Sequence, residues 1–219
     1  MMDRKEKKLT IRYALTMMAI IGFFTGIFYL VSKQVTSKDL LVFDQHIISF
    51  VQSFISVDIT RWVLRLTDLA SVAFLIYAVL FVSVLLLWKK KYALMVFMIT
   101  ANGLGALLNK TLKWYFKRER PDILPVILEK GYSFPSGHSM GSLLFYGSLA
   151  YLLVHILQGT WAKILSFLGL ILLILLIGTS RIYLGVHYPT DVVGGYSIGI
   201  AFLVLCILAF RYYEERNNK

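Results

Sequence analysis

Two stretches of this chain carry residues that apolar burial does not explain. The first runs from Lys113 to Arg120-Pro121 and on to Phe134-Pro135-Ser136-Gly137-His138. The second runs from Ser180-Arg181 to His187 and Asp191. Arginine forks can bind tetrahedral oxyanions through two parallel N–H bonds, as Arg120 and Arg181 would, and Lys113 adds a point charge. Pro135-Ser136-Gly137 reads as a helix start whose free N–H groups point outward, and Gly137 lets a ligand approach the backbone closely. His187 and Asp191 are four residues apart, so the carboxylate can hold one imidazole nitrogen and leave the other as a nucleophile. His138, across such a site, is placed to protonate a leaving alcohol.

Each residue has a plainer explanation when taken alone. Lys113 and Arg120 can be interfacial cations with their stems in lipid. Ser136 can cap a first turn, and Asp191 can complement a helix dipole. Together these explanations leave two histidines at helix starts, three cations and a carboxylate unaccounted for. His46 and His155 have no such neighbours and read as structural. Cys206 is the single cysteine, which excludes an intramolecular disulfide and a cysteine-based metal site.

The elements that must position these groups follow from composition. Of 219 residues, 58% are hydrophobic and 16% charged, too few charges to cover a soluble surface. The class left is an all-α polytopic membrane protein. Its net charge of +11 then serves topology, anionic lipid or an anionic substrate rather than nucleic acid. Charge-free apolar runs predict six spans: Tyr13–Ser32, Leu69–Trp88, Tyr92–Asn109, Ser139–Ala162, Ile164–Ser180 and Val192–Phe210. These runs lack the period-2 alternation of barrel strands. The first has no cleavage site after it and reads as a retained span. The basic amino terminus and Lys89-Lys90-Lys91 place both on the cytoplasmic side, although the overall Lys/Arg count is nearly balanced. Six-span parity then opens both polar stretches to the same outer face. In the first outer loop, Phe43, Ile47, Phe50, Val51 and Phe54 recur at helical spacing, with Asp44 and Gln52 off that stripe. This predicts an amphipathic helix in the interface, or equally a loop folded onto the bundle. The whole chain, 1–219, reads as one membrane domain.

The motifs resemble the tripartite signature of the type 2 phosphatidic acid phosphatase superfamily: Lys-x6-Arg-Pro, Pro-Ser-Gly-His and Ser-Arg-x5-His-x3-Asp. No signature position departs from the pattern, and the six-span layout extends the resemblance over most of the chain. Among its members, the chain looks most like bacterial membrane phosphatases for phosphatidylglycerophosphate and for undecaprenyl pyrophosphate. The resemblance implies that His187 attacks phosphorus to form a phosphohistidine, that Asp191 orients it, and that His138 protonates the leaving group and then activates water. Lys113, Arg120, Ser136, Gly137 and Arg181 would hold the phosphate. It implies no metal or other cofactor, a lipid phosphate substrate in a bacterial cell membrane, and no obligate protein partner.

Two other readings compete. An intramembrane serine protease would need Gly-x-Ser-Gly around Ser136, but Phe134 occupies the first glycine position. An anion or lipid transporter would place polar groups near the midplane, in interrupted helices, rather than at helix ends.

Overall fold

A computed structural model describes residues 4–35, 37–121 and 125–217. Among them the chain forms eight helices and no strand: α1 Arg4–Gln34, α2 Lys38–Gln52, α3 Val57–Asp68, α4 Val72–Trp88, α5 Tyr92–Phe116, α6 Gly137–Ile156, α7 Thr160–Tyr183 and α8 Pro189–Asn217. Helices satisfy their own backbone, which the bilayer demands of any spanning segment. Five of them (α1, α5, α6, α7 and α8) are long and apolar enough to cross a membrane, and α4 is a shorter apolar helix of 17 residues. These six correspond to the six expected spans.

Several boundaries differ from the sequence expectation for one reason. Charge-free runs stop at the first charge, whereas helices continue beyond the hydrocarbon. So α5 runs on to Phe116 and carries Lys113 in its last turn, α7 carries Arg181 in its last turn, and α8 begins at Pro189 with Asp191 in its first turn. The second span starts later than Leu69, because Leu69 and Ala70 complete the turn after α3, and Ser71 caps α4 by accepting from Phe74 N–H at 3.2 Å. Fourth and fifth spans part at Leu157–Gly159 rather than at the charged Lys163; Gly159 is the N-cap of α7.

The first outer loop holds two helices, α2 and α3, bent by 116° to one another. The phenylalanines Phe43, Phe50 and Phe54 face outward, while Asp44 and Ile48 are fully buried. Ile48 packs with Ile182 and Val192, so the face off the apolar stripe docks on α7 and α8. α3 was not expected. It is pinned to the end of α7 by Tyr183, whose hydroxyl lies 2.8 Å from Thr60 Oγ1.

α6 is the central helix, with Met140, Leu144 and Leu152 fully buried among Met98 and Ala101 of α5, Ile177 of α7 and Leu203 of α8. Its seat depends on small residues, as is usual where membrane helices pack without a hydrophobic drive between them. A Cβ on Gly195 of α8 would lie 2.8 Å from the Ser136 carbonyl oxygen, so only glycine admits this approach of α8 to the start of α6. Phe134 is buried between Phe28 of α1 and Phe116 of α5, stacked at 5.5 Å on the first and edge-on at 5.0 Å to the second. That aromatic clamp fixes the loop leading into α6. Aromatic residues near the helix ends (Trp88, Tyr92, Trp114, Tyr115, Trp161, Tyr212 and Tyr213) are all exposed, where amphipathic rings favour the membrane interface.

Candidate active site

The ends of α5 and α7 and the starts of α6 and α8 meet at one end of the bundle, which brings the two polar stretches together. At their meeting point His187 is 1% exposed. Its Nδ1 lies 3.2 Å from Asp191 Oδ2, and Arg120 Nη1 lies 3.3 Å from its Nε2. An arginine only donates, so Nε2 is the acceptor and Nδ1 carries the proton toward Asp191. Burial pushes the imidazole down to about 4, against the opposing pull of Asp191, so the ring is neutral at physiological pH.

Asp191 is itself held through both oxygens. Oδ2 also accepts from Tyr188 N–H at 2.9 Å and from the Ser133 hydroxyl in a short bond, while Oδ1 accepts from Arg118 Nη1 at 2.7 Å. Arg118 in turn reaches Asp44 Oδ2 at 3.1 Å. A carboxylate this well paired stays ionised and cannot rotate.

On the other side of His187 lies a cationic cleft. Arg120 donates to the carbonyls of Gly131 at 3.0 Å and Val186 at 2.8 Å, and Arg181 donates to Thr67 Oγ1 at 2.7 Å. The Glu129 carboxylate bridges the two guanidinium groups, 3.0 Å from Arg120 Nη1 through one oxygen and in a short contact with Arg181 through the other. Burial raises the Glu129 carboxyl, but the charges of Arg181, His138 and Arg120 outweigh it and hold the group below the usual carboxylate range. Lys113 Nζ donates to the carbonyls of Tyr132 and Ser133. Lys113, Arg120, Gly137, His138 and His187 all line one cavity.

That cavity, of about 670 Å³, continues as an apolar groove between α4, α5 and α6, walled by Leu75, Ile76, Val79, Leu80, Ile99 and Leu144. Seven of the eight residues singled out in the sequence thus lie around one cleft or its histidine. Ser136 sits behind it, fully buried. Its Oγ accepts from Ser139 N–H at 3.4 Å and lies 2.9 Å from Ser139 Oγ, so the side chain caps α6. Its own N–H donates to the Asp191 carbonyl at 3.0 Å and ties the two stretches together.

Four residues at the site were not anticipated: Asp44, Arg118, Glu129 and Ser133. Arg118 lies inside the Lys113–Arg120 run, where Lys117 and Arg118 add two further cations, and that excess of charge was a usable signal. Asp44 stood out as a charge in an apolar helix. Nothing in the local sequence marks Glu129 or Ser133.

An apolar groove ending in a cationic cleft, on a bundle of membrane-length helices, defines a membrane phosphatase. Comparison with known proteins agrees. Residues 91–215 match the PAP2 superfamily. The chain is 36% identical over 141 residues to phosphatidylglycerophosphatase B of Bacillus subtilis, covering 64% of this chain and 70% of that protein. It is 30% identical over 129 residues to the undecaprenyl-diphosphatase of Sulfolobus acidocaldarius, covering 55% and 58%. The crystal structure of the transmembrane PAP2-type phosphatidylglycerolphosphate phosphatase from Bacillus subtilis superimposes with a TM-score of 0.81 at 28% identity, over 90% of this chain and 96% of that one. The chain belongs to the PAP2 superfamily and is a membrane lipid phosphatase, a hydrolase of phosphoric esters or pyrophosphates.

Proposed function

We propose that the chain, acting as one membrane domain over residues 1–219, hydrolyses phosphatidylglycerophosphate to phosphatidylglycerol through a phosphohistidine on His187. The observation that carries this reading is the cleft itself: Nε2 of a buried, neutral, carboxylate-held histidine faces the Arg120 guanidinium, which a carboxylate bridges to that of Arg181. Glu129 occupies the kind of seat that a phosphate would take, and the substrate displaces it. Nε2 attacks phosphorus as the bond to the alcohol oxygen breaks, and His138 gives that oxygen a proton. His138 then takes a proton from water, whose oxygen attacks the phosphohistidine and releases phosphate and neutral His187. Lys113, Arg120, Arg181 and the N–H groups after Ser136 stabilise the charge on the equatorial oxygens. Asp191 holds the proton on Nδ1 and stabilises the imidazole as it bonds to phosphorus. The scheme needs no metal ion, because the cations carry the charge that Mg²⁺ carries in other phosphoryl transfers, and it calls on no protein partner.

The apolar groove supports a lipid rather than a soluble ester, since each acyl CH₂ buried there is worth about 0.8 kcal/mol. The similarity to an undecaprenyl-diphosphatase favours a second reading, in which the substrate is undecaprenyl pyrophosphate and the product is the recycled carrier. Phosphate release from a panel of lipid phosphates and pyrophosphates separates the two. For one headgroup with long chains, short chains and none, kcat/KM should fall steeply along the series; a flat series removes the lipid assignment.

The basic amino terminus and Lys89–Lys91 support cytoplasmic termini and an outward-facing site in a bacterial cell membrane. Impermeant thiol labelling of single cysteines should modify a position beside Lys130 and spare one beside Lys5. The reverse pattern puts catalysis inside.

A further inference from the structure

We propose that Asp44 and Arg118 are positioning residues for the reaction, a buried charge relay from α2 that sets the direction and basicity of Asp191. The inference rests on His187 as nucleophile and Asp191 as its orienting carboxylate.

The geometry starts where α5 ends. Lys117 adopts a left-handed φ of 47°, which turns the chain out of the helix and carries Arg118 inward, to 6% exposure. Its guanidinium carbon lies over the Tyr188 ring, 4.0 Å from the centroid. Nη1 reaches Thr190 Oγ1 at 2.8 Å and Asp191 Oδ1 at 2.7 Å, and Nη2 reaches Asp44. Asp44 then closes the ring, accepting from Thr190 N–H at 3.0 Å and from its hydroxyl at 2.6 Å.

Two features set this apart from an ordinary buried ion pair. First, Arg118 binds the Asp191 oxygen that His187 does not use. Both oxygens of that carboxylate are therefore engaged, which fixes its plane relative to the imidazole. Second, one cation is shared by two carboxylates, both fully buried. With Asp44 drawing part of the Arg118 charge, Asp191 keeps enough negative charge to support the ring as it becomes positive. Without Asp44 the full guanidinium charge falls on Asp191, which then supports the ring less. A network kept only for stability has no need of this arrangement, since buried ion pairs are often no more stabilising than apolar replacements.

The test uses the full chain, purified in detergent, with variants Asp44→Asn and Arg118→Lys. Orthovanadate inhibition reads the phosphate seat, and kcat with KM is measured on a lipid phosphate and on an aryl phosphate. Asp44→Asn should lower kcat on both substrates by ~10- to 100-fold, the usual size for a residue that orients a reacting group from behind, with KM and vanadate affinity within about threefold of wild type. Arg118→Lys, which keeps the charge but loses the fork, should fall less than Arg118→Gln. Near wild-type kcat in Asp44→Asn overturns the proposal, and so does a loss of vanadate affinity in step with kcat in both Asp44→Asn and Arg118→Lys. If wild type itself neither binds vanadate nor releases phosphate, it is the phosphatase reading that fails.

Discussion

Two arginine–carboxylate systems lie on opposite sides of His187, and they differ in what holds the acid. Asp44 and Asp191, the partners of Arg118, sit on helices α2 and α8 and have no exposure. Glu129, the partner of Arg120 and Arg181, sits in the loop between α5 and α6 with its side chain 26% exposed and lines the cavity. Moving Asp44 or Asp191 would mean moving a helix, whereas Glu129 can leave by rotating its side chain. On the proposed mechanism the same ion-pair chemistry is a permanent brace on one side and a place-holder on the other. Burial of the acid, rather than the identity of the base, distinguishes binding site from scaffold.

This contrast can be broken by experiment. On the proposed mechanism His187→Ala removes the attacking atom, so lipid turnover should disappear while the detergent-purified protein remains folded. Asp191→Asn takes the brace from the imidazole and should cost about 10⁴-fold in kcat, as in a comparable triad; a loss under tenfold would mean that His187 needs no orienting. His138→Ala should slow a lipid substrate ~10²-fold or more and an activated aryl phosphate much less, because the aryl leaving group needs no proton. Equal losses on both would remove His138 from the acid role.

Smaller effects probe the place-holder. Glu129→Gln removes the competing charge and should tighten orthovanadate inhibition by roughly tenfold, the equivalent of about 1.4 kcal/mol. Weaker inhibition would make Glu129 a ligand-organising residue instead. Acidity tests the buried histidine. Its pKa is pushed down to about 4 from an ordinary 6.5, so the unfolded chain binds the proton first. The stability this contributes is complete above about pH 6.5 and is lost as pH falls toward 4, a change on the order of 3 kcal/mol. Thermal midpoints in detergent should drop over that window, and less in His187→Gln. EDTA should leave turnover unchanged; activity that vanishes with chelator and returns with Mg²⁺ would rule out the metal-free scheme.

Much of this molecule is legible in its sequence, and the illegible parts share a cause. Span count and helical class follow from apolar runs, because hydrocarbon imposes its length on every crossing segment. The convergence of Lys113, Arg120, His138, Arg181 and His187 follows from parity, since an even number of crossings separates α5's end from α7's. What escapes is pairing across long sequence distance. Asp44 meets Thr190 across 146 positions, and nothing near either residue encodes the other. Ser133 is one hydroxyl in a loop until folding sets it between His187 and Asp191. Asp44 also misleads locally, because a charge off the Phe43–Phe50–Phe54 stripe looks like the watery side of an interfacial helix when it lies on the side that docks on the bundle. In a bilayer the apolar side of a helix has two apolar places to go, and periodicity alone does not choose between them.

The position of α4 has a consequence for how such enzymes diversify. The groove takes one wall from Val72, Leu75, Ile76, Val79 and Leu80 of α4, whereas the proposed reacting groups come from α5 to α8 and the segments joining them. With a lipid chain in that groove, as proposed, replacements along the wall would alter which hydrocarbon fits and leave the proposed reacting groups in place. Chain preference and catalytic power are therefore separable traits, and a lineage can drift from one lipid to another through a single helix face while its reactive centre stays under unchanged selection.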